Sequence, residues 1–505
     1  MSFVHHRQGR SWGYRMVVGC AAVAIAVVAV PALAEPGSGV LVVSVGDATV
    51  GGQGAPGKAI PMIVSNLGAT EPTAVFDLTE LSGIVTVELD ERFCTVSGTQ
   101  GRCRFPDDPD GQGYDLVLAL LLRPAAGVVA GASGRLTWRA SAANGGTEER
   151  SAVISVADGV DLVVLPTPQK IDNAQPGHET VVTIPLVNAG NESAPQVQLI
   201  VTSTSGLDLT QFQECEYTQD ESVNTAVCLI DVTLQPAEGL EVDFGFTPNT
   251  TALDEDFGYF VAAPGTVQLP LAESVKPRRG VGKSLPVRKV WSALAAKEID
   301  PKDNFGGVQV LVDNTADLAV SGATLRGAEG DVVDAQLAVA NLGPATVRDR
   351  LGEVGAAIFE FVVPDGTEVI GVPEGCFSTI LWRETGHQEP VPGAPQYTCG
   401  SGITFPQGMT MQRTFQVKIT EVVANAEGQV QTFAGLDKIV PKYDDKPANN
   451  TAKVIVNPAS GGLPVTGAPV GLITWVSVVL LGAGGGLLLL SRRRRISPGT
   501  GNGTA

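Results

Sequence analysis

Histidine is almost missing from this chain. There are four in 505 residues, and only His178 and His387 lie beyond the first six positions. No recognisable Ser/His/Asp or Cys/His signature and no His-Glu-x-x-His motif can be assembled, so the usual hydrolase and metalloprotease chemistries are not expected. Cys-x-x-Cys is also absent, which removes the simplest redox and zinc motifs. The Gly-rich stretch Gly51-Gly52-Gln53-Gly54 lacks a following Lys-Ser/Thr and therefore reads as a loop, not a phosphate cradle. Aromatics are sparse, and away from the two ends of the chain Trp138, Trp291 and Trp382 stand far apart, which gives no clustered platform for a sugar ring. The chain reads as a protein that is not an enzyme and carries no cofactor and no metal site.

What is present begins at the two ends. Arg7, Arg10 and Arg15 precede an apolar run from Val17 to Val30, and Ala32-Leu33-Ala34 supplies an A-x-A site. This is the order of a signal peptide over 1–34, with cleavage between Ala34 and Glu35. A lipid anchor at Cys20 is the competing reading, but most of the apolar run lies after that cysteine rather than before it. At the other end, Leu463-Pro464-Val465-Thr466-Gly467 is followed by the apolar run 470–490 and by Arg492, Arg493, Arg494 and Arg495. Twenty-one apolar residues in a helix span about 30 Å of hydrocarbon. The arginines would act as a stop-transfer signal and hold the tail in the cytoplasm.

This arrangement resembles the LPXTG cell-wall sorting signal of Gram-positive surface proteins, with Val465 in the variable place and the signal occupying 463–505. The resemblance implies that a sortase cuts between Thr466 and Gly467 and joins the Thr466 carbonyl to peptidoglycan. The membrane would be a partner only before sorting. A single-pass membrane protein that is never processed is the alternative.

Between the ends the chain is acidic. Setting aside the three arginines before residue 35 and the four after 466 leaves 27 Lys+Arg against 53 Asp+Glu, a net charge of −26. Such a surface repels nucleic acid. Long helical periodicity is rare. Short alternating runs dominate, such as Thr183-Ile184-Pro185-Leu186-Val187 and Phe415-Gln416-Val417-Lys418-Ile419, with turn residues between them.

A repeat organises these runs. Asn66-Leu67-Gly68, Asn188-Ala189-Gly190 and Asn341-Leu342-Gly343 each close an apolar strand, and each predicts a turn whose glycine adopts positive φ. Val160-Asp161-Leu162-Val163-Val164 matches Ala316-Asp317-Leu318-Ala319-Val320 at unit starts. Asp303-Asn304 and Asn449-Asn450 precede the closing strands of the second and third units. The units are 35–157, 158–313 and 314–457, followed by a spacer at 458–462. Their pattern resembles bacterial Ig-like surface repeats, including the cell-adhesion-related domains. The expected fold is all-β, with three tandem Ig-like β-sandwiches between the signal peptide and the sorting helix.

Six cysteines remain after Cys20, two per unit: Cys94 and Cys103, Cys215 and Cys228, Cys376 and Cys399. Six cysteines allow 15 pairings, but two per unit favours one local bridge in each, stapling neighbouring strands in an oxidising compartment.

Two loops carry unassigned charge. The acidic stretch from Asp107 to Asp115 offers oxygen ligands to Ca²⁺, yet with Gly111 at the sixth place Pro106 and Val117 fall at the first and twelfth ligand positions. A solvated turn is the simpler reading. Residues 276–289 form a basic island that could grip an anionic polymer or fold back on acidic neighbours. The task of the three units is a structural or interaction role in the envelope; an adhesin recognising a protein or glycan is the alternative.

Overall fold

A computed structural model describes residues 39–108, 111–165, 167–220, 222–265, 277–289, 303–349, 354–433 and 444–458. The signal peptide, the sorting motif, the apolar run 470–490 and the terminal arginines lie outside them. Among the described residues, no helix is long and apolar enough to cross a membrane.

The fold is all-β, and the alternation of side chains explains why. In Thr180–Asn188 the residues Val182, Ile184, Leu186 and Asn188 are buried while their neighbours face outward. In Lys58–Leu67 and Thr410–Ile419 every second residue is likewise buried. A period of two puts one face of each strand into a core. Burying each Val, Leu or Ile contributes roughly 1.5–3 kcal/mol before entropy is charged.

Three sandwiches with one topology result. In the first, one sheet runs Val40–Val45, Lys58–Leu67, Tyr114–Pro124, Val85–Glu88. Its partner runs Ala48–Gly51, Thr147–Ala157, Ser133–Ser141, Thr73–Asp77, Gln100–Arg104, Cys94–Ser97. The opening of the chain changes sheets: Val40–Val45 pairs antiparallel with Lys58–Leu67, and Ala48–Gly51 then pairs parallel with the closing strand Thr147–Ala157. The second sandwich repeats this with Leu162–Val164 and Lys170–Ala174, and the third with Leu318–Ser321 and Ala323–Leu325. A parallel pairing between first and last strands closes each sandwich across its whole sequence.

The first two sandwiches fall within one compact unit, 1–313, and the third within another, 314–505. The first core stacks Phe76 on Trp138, whose indole N–H donates to the Val43 carbonyl at 2.8 Å. The second gathers Phe212, Phe244, Phe246 and Phe257. In the third, Phe415 packs on Phe361 and Tyr397.

The repeated asparagine is a buried clamp. The Asn188 amide donates to the carbonyls of Glu192 and Leu234, and its oxygen accepts from the N–H groups of Gly190 and Asp161. Asn341 repeats this with Ala345, Phe405, Gly343 and Asp317. Asn66 donates to the carbonyls of Ala69 and Pro106 and to the Tyr114 hydroxyl, and accepts from the Ala69 N–H.

The expected positive φ holds only at Gly68, where φ is 68°. Gly190 and Gly343 are needed for a different reason. A Cβ on Gly190 would stand 2.2 Å from the Gly159 carbonyl oxygen, and one on Gly343 would stand 2.5 Å from the Ala316 backbone, so only hydrogen fits where the first strand passes.

Candidate functional site

Each cysteine pair sits on opposed positions of adjacent antiparallel strands: Cys94 and Cys103, Cys215 and Cys228, Cys376 and Cys399 are bonded in turn. All six are buried at the far edge of the larger sheet. The bridges therefore staple an edge within one sheet, unlike antibody-type bridges that span the two sheets. In the third sandwich the longer interval makes room for a short helix, α1 (Thr379–Thr385), capped by the Ser378 hydroxyl and ended by Gly386 at φ 75°. Its Trp382 packs edge-on against Phe377. The sequence reading missed this helix, because seven residues are too few to show a period.

The acidic loop is built for turns. Asp108 accepts backbone N–H groups from Gly68 and Gly113, which holds its carboxyl below the usual range. Asp107 accepts from the Glu71 N–H. Among the described residues no group of three or more His, Cys, Asp or Glu is placed to hold a metal ion. His178 and His387 are both exposed, in different sandwiches.

The described part of the basic island folds back on the second sandwich. Arg278–Arg279 adds a strand to Cys215–Gln219, and Val287–Lys289 adds one to Gly239–Pro248. Arg288 pairs with Glu241 and Lys289 with Glu238, while the Lys283 ammonium sits over the Phe212 ring. The segment acts as a strap over the edges of both sheets.

One cluster was not anticipated. Lys58 begins its strand in the inward phase, in line with Ile60, Met62 and Val64, yet it is a cation. Its side chain and that of Asp161 are both fully buried, and their closest approach is 3.2 Å. The ammonium also meets Asp303 at 2.5 Å and donates to the Thr49 carbonyl at 3.0 Å. Asp161 precedes the first strand of the second sandwich and Asp303 precedes its last. The two are brought together because the Val164 N–H donates to the Asp303 carbonyl at 3.1 Å. Gly51 and Gly52 let the first sandwich approach: a Cβ on Gly51 would meet the Ala189 oxygen at 3.0 Å, and one on Gly52 would meet the Asp158 carboxyl at 2.2 Å. The corresponding aspartate of the third sandwich, Asp317, is held by Lys446 at 2.7 Å and by the Asn449 amide at 2.7 Å, both from its own domain.

No family model and no curated protein matches the chain. Solved structures of Ig-like arrays are similar to it at low scores. Dpr2 Ig1-Ig2, solved in complex with DIP-Theta Ig1-Ig3, is 10% identical, covers 84% of this chain and 100% of its own, and has a TM-score of 0.19. Titin domains I67-I69 are 7% identical, with 84% and 99% covered and a TM-score of 0.17. A Corynebacterium diphtheriae protein described as membrane anchored is 9% identical, with 84% and 93% covered and a TM-score of 0.18. Such likeness concerns fold alone. The chain carries three disulfide-stapled β-sandwiches in tandem.

Proposed function

We propose that the chain is a surface protein of a Gram-positive bacterium, attached covalently to peptidoglycan by sortase, with a structural or interaction role in the envelope and no catalytic activity of its own. The observation that carries this reading is the order of Leu463-Pro464-Val465-Thr466-Gly467, the apolar run 470–490 and the four arginines. Three buried disulfides support export, because such bonds persist in oxidising compartments. In this reading Thr466 supplies the acyl group and Gly467 leaves with the tail.

The adhesin alternative meets two observations. Trp138 is buried and bonded within its core, so it offers no ring face to a sugar. The last strand ends at Val456, and the ten residues to Thr466 reach at most about 33–36 Å when extended. The third sandwich would therefore stay within or just above the wall, which favours an envelope role over long-range capture.

Muramidase digestion of cell walls should release the protein, while boiling detergent should not. Thr466→Ala should shift it to membrane or medium. Complete extraction of the wild type by detergent would refute covalent anchoring.

A further inference from the structure

We propose that the outer face of the larger sheet in the first sandwich binds a non-nucleotide phosphodiester chain, with Arg102 and Arg104 gripping successive phosphates. That such a chain would be met in the envelope rests on the surface reading above; the binding itself does not.

The strand register builds the site. Arg102 and Arg104 face outward because Gly101 and Cys103 take the inward positions of Gln100–Arg104. Directly opposed residues share a face, so Thr95, Arg102 and Val75 stand in one row and Arg104 and Thr73 in the next. With Phe93 these side chains line an open groove of about 380 Å³. Residues two apart on a strand are separated by about 6.6–6.8 Å, so an extended chain can lay one phosphate on each arginine. The guanidinium fork suits bidentate phosphate contact.

The charge is local and unspent. No carboxylate lines the groove, and among the described residues neither arginine pairs with one. Arg102 donates only to the Gln100 side-chain oxygen, at 3.2 Å. The nearby Arg92 and Arg139 are instead neutralised by Asp90 and Glu149. The chain is acidic elsewhere, but charges beyond about 8 Å are screened at physiological salt, so the groove's own arginines decide what docks. Phe93 is the single ring in the groove, and the Arg92 guanidinium already lies over it at 5.6 Å. Successive bases would find no stacking platform there, which favours a chain without them.

The other two sandwiches treat this face differently. Counting from the bridges, Val227 and Leu229 stand where the first sandwich has Arg102 and Arg104, and Glu216 stands where it has Thr95. That groove, of about 370 Å³, is lined by Glu214 and Glu216 and receives Arg279 from the strap. In the third sandwich Thr398 and Gly400 fill the two places, and Arg383 of α1 reaches across to Glu360. Both thus bring an arginine of their own to a glutamate at this face. The first sandwich offers the arginines and lacks the acid.

Calorimetric titration of the full-length chain, kept in neutral detergent, with poly(glycerol phosphate) tests this. Binding should saturate and should weaken as salt rises. Arg102→Gln and Arg104→Gln should each lower affinity about tenfold, with folding verified by circular dichroism and an intact Cys94–Cys103 bridge. Arg326→Gln removes the same charge from the third sandwich and should change nothing. No binding by the unaltered chain would overturn the proposal, as would an equal loss in Arg326→Gln. Oligothymidylate with the same number of phosphates should bind more weakly; equal or tighter binding would assign the groove to nucleic acid instead. Anchoring is read on cell walls and this binding on purified protein, so either can fail alone.

Discussion

Asp161 and Asp317 open equivalent strands and meet lysines in opposite ways. Asp317 is met by Lys446 of its own domain, whose charge stays hydrated. Asp161 is met by Lys58, which comes from the preceding domain and is sealed from water. The same carboxylate serves as a local clasp in one place and as a joint between domains in the other. The first two sandwiches accordingly fall within one compact unit and the third within a second. What separates the two cases is the burial of the cation, not the identity of the residues.

The sharpest way to break this comparison is to delete each lysine. Removing one member of a buried pair leaves an uncompensated charge, at a cost of about 3–5 kcal/mol. In the third sandwich Asp317 is buried too, but its lysine is exposed and the Asn449 amide stays on the carboxylate when that lysine is removed. Lys58→Met should therefore lower the denaturant midpoint of the first two domains strongly, and Lys446→Met should lower that of the third by less. Equal effects would mean that burial does not distinguish them.

The bridges come next. The loop-entropy estimate gives about 2.5–3.5 kcal/mol each, rising with loop length. The separations of 9, 13 and 23 residues rank Cys94–Cys103 lowest and Cys376–Cys399 highest. Single Cys-pair deletions followed by calorimetry should reproduce that order. A reversed order would indicate that edge packing, not the unfolded chain, sets the contribution.

The asparagine clamps should give a smaller, similar cost in all three sandwiches. Asn66→Ala, Asn188→Ala and Asn341→Ala each strand buried backbone groups, at about 2 kcal/mol. A neutral result for Asn188 or Asn341 would show that water replaces the amide.

The mildest test is alkaline. Burial pushes the Tyr217 hydroxyl up to about 12, where it donates to the Thr210 carbonyl and accepts from the Phe212 N–H. A raised pKa contributes stability that is complete below pH 10 and fades as pH climbs from there to about 12. The second sandwich should lose stability across that window, and Tyr217→Phe should flatten the loss. An unchanged profile in the variant would assign the alkaline loss to other groups.

Much of this fold could be read from the chain. The alternation in Thr180–Asn188 and Thr410–Ile419 gave strands because a period of two is a local property. The three Asn-x-Gly sites marked equivalent turns, and the paired cysteines fell within units. Their physical roles were less legible. Gly190 and Gly343 are required by the passage of another strand, which no local pattern records. The basic segment could have gripped a polymer or folded back, and its described residues fold back because Glu241 lies on the strand that it joins and Glu238 just before it.

By itself, then, the sequence determined what depends on near neighbours: strand periodicity, turn positions and the pairing of cysteines within units, and it carries the motif at residues 463–495 on which the proposed sorting rests. Tertiary structure alone decided that Lys58 faces Asp161 and Asp303. These residues stand 103 and 245 positions from the lysine in a chain where lysine normally seeks water. Only the closing of two sandwiches against each other removes that water, and desolvation is what turns an ordinary ion pair into a joint.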